Sequence, residues 1–191
     1  MGIGLSHLTH YLSVLAVYGL SSNVFGQQTP TQRLVCFLSA LLHVITPAGA
    51  FLSAPYMESL FSLLNISGLY LYSSSFLDDC SGKRFTRDVK LLGAALLFAV
   101  ATTVRSNGIL SGFLFAYDAV WLLRRVVLHG LSGDAVLRLG VIVLGGCVVG
   151  LGIVLPQVIA YTTYCRDDSI TRPWCQWTIP SIYGWVQEQY W

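Results

Sequence analysis

The sequence predicts an all-α protein, a polytopic bundle of transmembrane helices with about six crossings. Three observations predict it. Of 191 residues, 54% are hydrophobic and only 10% are charged, and the mean hydropathy is +0.65, far outside the soluble average. The apolar residues come in runs suited to spanning helices, which need about 20 mostly apolar residues to cross the hydrocarbon core. Proline, glycine and charged clusters separate those runs, as turns at a membrane surface require. The net charge of +2 has no basic cluster interleaved with aromatics, so nucleic acid is excluded as a partner.

Ile3 to Phe25 is the first apolar segment, and the Gly26 and Pro30 that follow stop it. No Lys or Arg precedes Arg33, so the basic region of a cleavable signal peptide is missing. Leu34 to about Ile45 is the second segment and Pro55 to Phe76 the third, with a polar linker from Leu77 to Asp88. Val89 to Leu123 as one helix would be roughly 52 Å long, against a bilayer core of roughly 30 Å. It must turn, and the break falls at Arg105 to Gly108, where Asn-Gly permits a tight backbone. A polar loop from Arg124 to Arg138 leads into the last run, Leu139 to Tyr164. Residues 1–191 read as one multi-pass membrane domain, of which 165–191 is an aromatic tail.

Charge sets the orientation. Lys83, Arg84, Arg87 and Lys90 flank one side of the long stretch, and Arg124, Arg125 and Arg138 the other; such loops favour the cytosol. Eight of the eleven Lys/Arg then lie on that side. Three irregular segments share the opposite, lumenal face: His43 to Glu58, Arg105 to Gly108, and the tail from Cys165.

Glu58, near Pro55, sits in a helical first turn. There its carboxylate either stabilises the helix end through the dipole, or marks a polar site together with Arg105 or pairs with it across that site. His43, beside the irregular segment, is open between packing and site. Ser6, His10 and Ser13 recur at helical spacing, so one face of the first helix is polar and looks into the bundle. His7 and His10 have no third ligand, and no metal site follows. Asp118 is expected to snorkel to the cytosolic interface. Asn65-Ile66-Ser67 is a glycosylation sequon inside a span, where no glycan belongs. Gly146 and Gly150, with Gly140, Gly145 and Gly152, suit close helix packing. Cys165 and Cys175, ten apart on the lumenal side, form either a disulfide or two free thiols. No internal repeat is visible, which argues against a transporter of inverted halves.

Four stretches in order, SHLTHYLSVL, HVITPAGAFLSAPYMESLFSLLN, ATTVRSNGIL and RPWCQWTIPSIYGWVQEQYW, closely resemble the GPI mannosyltransferase 2 family, its fungal members in particular. The resemblance covers nearly the whole chain. It implies a GT-C type, multi-pass enzyme of the endoplasmic reticulum membrane that needs no metal or other cofactor. The enzyme would transfer the second mannose, α-1,6, from dolichyl phosphate mannose to the GPI precursor on the lumenal side. Its partners would be the lipid-linked donor, the GPI glycolipid acceptor and an accessory membrane subunit. Glu58, Arg105, Asn107 and His43 are the substrate-binding candidates, with Arg105 the phosphate partner. Family members carry an Arg-Trp-Asp type segment upstream of the Ser-His stretch, and its aspartate is the expected general base. That segment is not in this chain, which is therefore expected to be an internal piece, with its catalytic residue unassigned. The alternative is a non-catalytic membrane subunit or pseudoenzyme that lacks the aspartate.

Overall fold

The computed structural model describes residues 2–45, 57–130, 132–165, 172–178 and 180–190. The proline-broken stretch 46–56, Arg166 and Trp191 lie outside them. Among the described residues, six long helices make the bundle: α1 (Gly2–Phe25), α2 (Pro30–Val44), α3 (Glu58–Cys80), α4 (Arg84–Val104), α5 (Gly112–His129) and α6 (Gly133–Tyr164). A 3-10 turn, Ser106–Ser111, joins α4 to α5. A second, Pro173–Gln176, precedes the short α7 (Ile182–Tyr190). Among the described residues there is no strand.

Local chemistry explains the ends. Gly26, at φ 76°, closes α1 in a left-handed conformation that other residues resist. Pro30 opens α2 instead of merely stopping α1, because its missing N–H is one the first turn would leave unpaired. Thr29 accepts from the Gln32 N–H while Gln32 accepts from the Thr29 N–H, a reciprocal cap. The polar linkers prove shorter than the sequence predicts. α3 runs to Cys80 and α4 begins at Arg84, while α5 runs to His129 and α6 begins at Gly133. Charged residues there stay helical because they pair with one another across the helices.

Neighbours run α2, α1, α3, α4, α6, α5 across the bundle, and direction alternates from one helix to the next along the chain, so two neighbouring pairs are parallel. α1 and α3 are parallel, with Asn23 Nδ2 donating to Ser73 and Ser74. α2 returns along α1, its Cys36 beside Gly26. α4 returns along α3, and α6 runs parallel to α4, from Arg87 against Asp134 at one end to Ala99 against Gly152 near the other. Three of the six helices, α1, α3 and α6, are long and apolar enough to cross a membrane by length and composition.

The bundle is built as a membrane protein is, with small and polar groups inside. The buried residues of α1 are Ser6, Thr9, Ser13 and Ser21, while Ile3, Leu5, Leu8 and Leu15 are exposed. Lipid is as apolar as leucine, so helix association relies on close contact and satisfied polar groups. Thr9 and Ser13 donate to carbonyls one turn back and hide their polarity. The apolar core lies between α3, α4, α5 and α6, around Leu91, Phe98, Phe115, Ile142 and Val149. Gly145 and Gly152 of α6 are the close-packed pair: a Cβ on them would meet the Phe115 ring at 2.5 Å and the Ala99 carbonyl at 2.4 Å. Gly140 and Gly150 meet nothing within 4 Å, and Gly146 only the Phe115 Cβ at 3.6 Å. The contact stripe is thus narrower than the predicted glycine set.

Asp118 does not snorkel. It is buried and accepts a hydrogen bond from the Tyr72 hydroxyl of α3. That inward partner exists because Tyr72 is itself packed against Phe115, and a satisfied carboxylate need not reach for water.

Candidate functional site

Two polar constellations stand at opposite ends of the bundle. At the first, the sequence Arg105-Ser106-Asn107-Gly108 makes the chain reverse between α4 and α5. Gly108 donates its N–H to the Arg105 carbonyl at 2.9 Å. A Cβ at Gly108 would stand 2.6 Å from the Thr102 nitrogen and 2.9 Å from the Ala101 carbonyl carbon, so only glycine lets the turn fold back on α4. Arg105, in extended backbone at the end of α4, carries its guanidinium across to α3. There Nη1 pairs with Oε1 of Glu58, the first residue of α3. The same guanidinium lies 5.8 Å from the centroid of the Phe61 ring, one turn further along. Ser111, closing the turn, donates to Asn65 Oδ1 at 2.8 Å. α3 therefore holds the turn at two points, Glu58 and Asn65. Asn107 is exposed on this turn.

The Glu58–Arg105 side chains are 34% and 41% exposed. A pair so hydrated is worth only about 0–1 kcal/mol, so a stronger anion can take the arginine at little cost. Guanidinium offers paired donors that match phosphate oxygens. The arrangement suits binding and positioning of an anionic group.

His43 is not brought to this pair. Its Nε2 is 2.9 Å from Ser13 Oγ, and its ring is 5.3 Å from that of His10. Ser13 lies near the middle of α1, so His43 sits deeper than the rim. It joins α2 to the polar face of α1.

At the other end, Arg87 is the largest fully buried side chain among the described residues. Its Nη1 donates to Asp79 and its Nε to Asp88, both at 2.8 Å, and Nη2 is 3.4 Å from Asp134. Arg138 Nη1 takes the second Asp79 oxygen at 2.7 Å, and Lys90 pairs with Asp78 at 2.7 Å. One buried guanidinium thus ties α3, α4 and α6. Sequence reasoning treats these residues as charge-bearing loops and misses the network, as it misses the Asn65–Ser111 bond. The only sequence signal is a polar residue within or beside an apolar run.

The tail is anchored on α6. Cys165 and Cys175 are joined by a disulfide, with Cα atoms 5.6 Å apart. Gln157 donates through Nε2 to Ser181 Oγ and accepts from the Ile182 N–H, both at 3.0 Å, so one amide pins the start of α7.

Among the described residues, six long helices with exposed leucines, a polar inner seam and an arginine–carboxylate rim define a polytopic membrane protein. The chain belongs to the family described as mannosyltransferase (PIG-V), whose model matches residues 1–191. It is similar to GPI mannosyltransferase 2 of Aspergillus oryzae, 63% identical over 99% of this chain and 44% of that protein. A similar protein of the same description in Aspergillus fumigatus is 60% identical over 100% of this chain and 43% of that protein. GPI alpha-1,6-mannosyltransferase 2 of Homo sapiens is 29% identical over 98% of this chain and 39% of that protein. The chain spans less than half the length of these curated relatives. No solved structure matches it.

Proposed function

We propose that this chain is the substrate-positioning part of a GPI-anchor mannosyltransferase. The complete protein adds the second mannose of the GPI precursor, α-1,6, from dolichyl phosphate mannose, on the lumenal side of the endoplasmic reticulum membrane. The observation that carries this reading is the Glu58–Arg105 pair on the α4–α5 turn, set at the end of the bundle away from the basic loops. The positive-inside rule puts those loops in the cytosol, so the pair meets the lumen, where a lipid-linked donor and acceptor present their head groups. Arg105 takes a phosphate oxygen of the donor or acceptor, Glu58 holds the guanidinium until then, and Asn107 offers an amide beside it. His43 acts at one remove, by fixing α2 against α1. No residue is assigned here as the general base.

In the full-length protein, Arg105→Ala should lower mannose transfer to a GPI precursor about ten- to hundredfold, the worth of one or two charge-assisted hydrogen bonds. Expression should be unchanged and Arg105→Lys should recover part of the rate. Normal transfer by well-folded Arg105→Ala protein would remove Arg105 from the site.

A further inference from the structure

We propose that a cleft between the end of α6 and α7 is a second binding site, separate from Arg105, that takes the phosphorylated monosaccharide head of a lipid-linked substrate. Tyr164, Arg172, Pro173, Trp174, Ile182 and Trp185 line a cavity of about 300 Å³. Ligand sites run from about 300 to 1,000 Å³, so this one holds a single sugar with its phosphate and not an oligosaccharide. Its walls are aromatic, and the C–H face of a pyranose packs on such rings. Among the described lining residues its charge is Arg172, whose guanidinium lies 5.7 Å from the Tyr164 ring centroid.

An interfacial aromatic belt needs only rings lying at the head-group level. Here each wall is fixed. Cys165 follows Tyr164 and Cys175 follows Trp174, so the disulfide clamps two walls together. Trp174 is only 3% exposed, a depth a belt residue does not require. The third wall, Ile182 and Trp185, hangs on the Gln157 amide. A preformed concave site loses little entropy on binding.

The cleft is not the rim. Gly152 packs at the level of Ala99 and Thr102, just before Arg105. Tyr164 lies twelve residues beyond it on α6, about 18 Å along the helix at 1.5 Å per residue. Two cationic positions on one face suit a reaction whose two substrates both carry phosphate; in that respect the inference rests on the proposed function, whereas the binding itself does not.

The test uses full-length Arg105→Ala protein in phosphatidylcholine nanodiscs, so that the rim does not contribute, with radiolabelled mannose 1-phosphate in equilibrium dialysis. Saturable binding is expected. Adding Arg172→Gln or Trp185→Ala should weaken it about tenfold, as loss of one charged hydrogen bond or one packing wall implies. Trp185→Phe should keep most of it. α-Methyl mannoside and inorganic phosphate should each compete about tenfold less well. Both variants alter the cleft mouth and not buried Trp174, and should one melt early the other decides. No saturable binding, or binding untouched by both changes, overturns the proposal. Competition by phosphatidylinositol in the disc as strong as by mannose 1-phosphate also overturns it, in favour of a membrane phospholipid. Mannose transfer is measured in parallel on otherwise wild-type protein. Transfer without cleft binding refutes the cleft alone, and cleft binding without transfer refutes the proposed activity alone.

Discussion

Gly152→Ala adds one methyl group where, of the described glycines, a Cβ would meet its neighbour most closely. The new Cβ would stand 2.4 Å from the Ala99 carbonyl oxygen, 2.9 Å from the Thr102 Cβ and 3.0 Å from the Ala99 Cα. Ordinary contact begins at 3.4 Å, so α4 and α6 must part by about 1 Å, and backbone atoms cannot swing aside as a side chain could. Overpacking of this kind costs about 1–3 kcal/mol. Alanine returns up to about 1 kcal/mol through helix propensity. Gly150→Ala, where nothing lies within 4 Å, collects that gain with no clash. The pair of variants should therefore differ by about 1–3 kcal/mol, Gly152→Ala the weaker, in reversible unfolding of the full-length protein in mild detergent. Mannose transfer should fall with Gly152→Ala as well, because Thr102 also packs under Gly108 of the Arg105 turn. Equal stability of the two variants would refute the close-packing argument.

Other outcomes follow from the same contacts. Arg87→Ala removes the buried guanidinium that Asp79, Asp88 and Asp134 share, but Asp79 keeps Arg138 and Asp134 keeps Arg84; the loss of its charged hydrogen bonds should cost about 1–3 kcal/mol, readable in the same unfolding assay. Tyr72→Phe leaves the buried Asp118 carboxylate without its hydroxyl, a loss of about 1–3 kcal/mol readable in the same unfolding assay. Cys165→Ser opens a loop of ten-residue separation and should cost about 2–3 kcal/mol; in the parent protein, alkylation and mass spectrometry should find Cys165 and Cys175 protected until reduction. Asn65→Gln should leave the glycan pattern of the protein unchanged, because Asn65 is bonded to Ser111 inside the bundle; a glycan lost on that substitution would place Asn65 outside the membrane.

Much of the bundle was legible in the chain. The apolar runs mark six helices, and the excess length of Val89 to Leu123 demands a turn where Arg105-Ser-Asn-Gly stands. The serine and threonine face of α1 reads as an inner seam, because a polar stripe on a lipid-soluble helix has nowhere else to go. Those features depend on local pattern and on the thickness of a bilayer, and both are written along the sequence. The resemblance of four stretches to one family is likewise linear information.

Tertiary structure decided which polar groups meet. Nothing in the spacing of Glu58 and Arg105, 47 residues apart, shows that they pair. The same holds for Asn65 with Ser111 and Arg87 with Asp79 and Asp134. His43 is open between packing and site in sequence and lies against Ser13, because α2 is short and its end stops at mid-depth on α1. Asp118 looks able to snorkel and turns inward because Tyr72 reaches it. Of six glycines in α6, only Gly145 and Gly152 touch a neighbouring helix closely. In each case the deciding quantity is the rotation and depth of one helix against another, which is set by the sum of packing contacts and leaves no mark on any single segment.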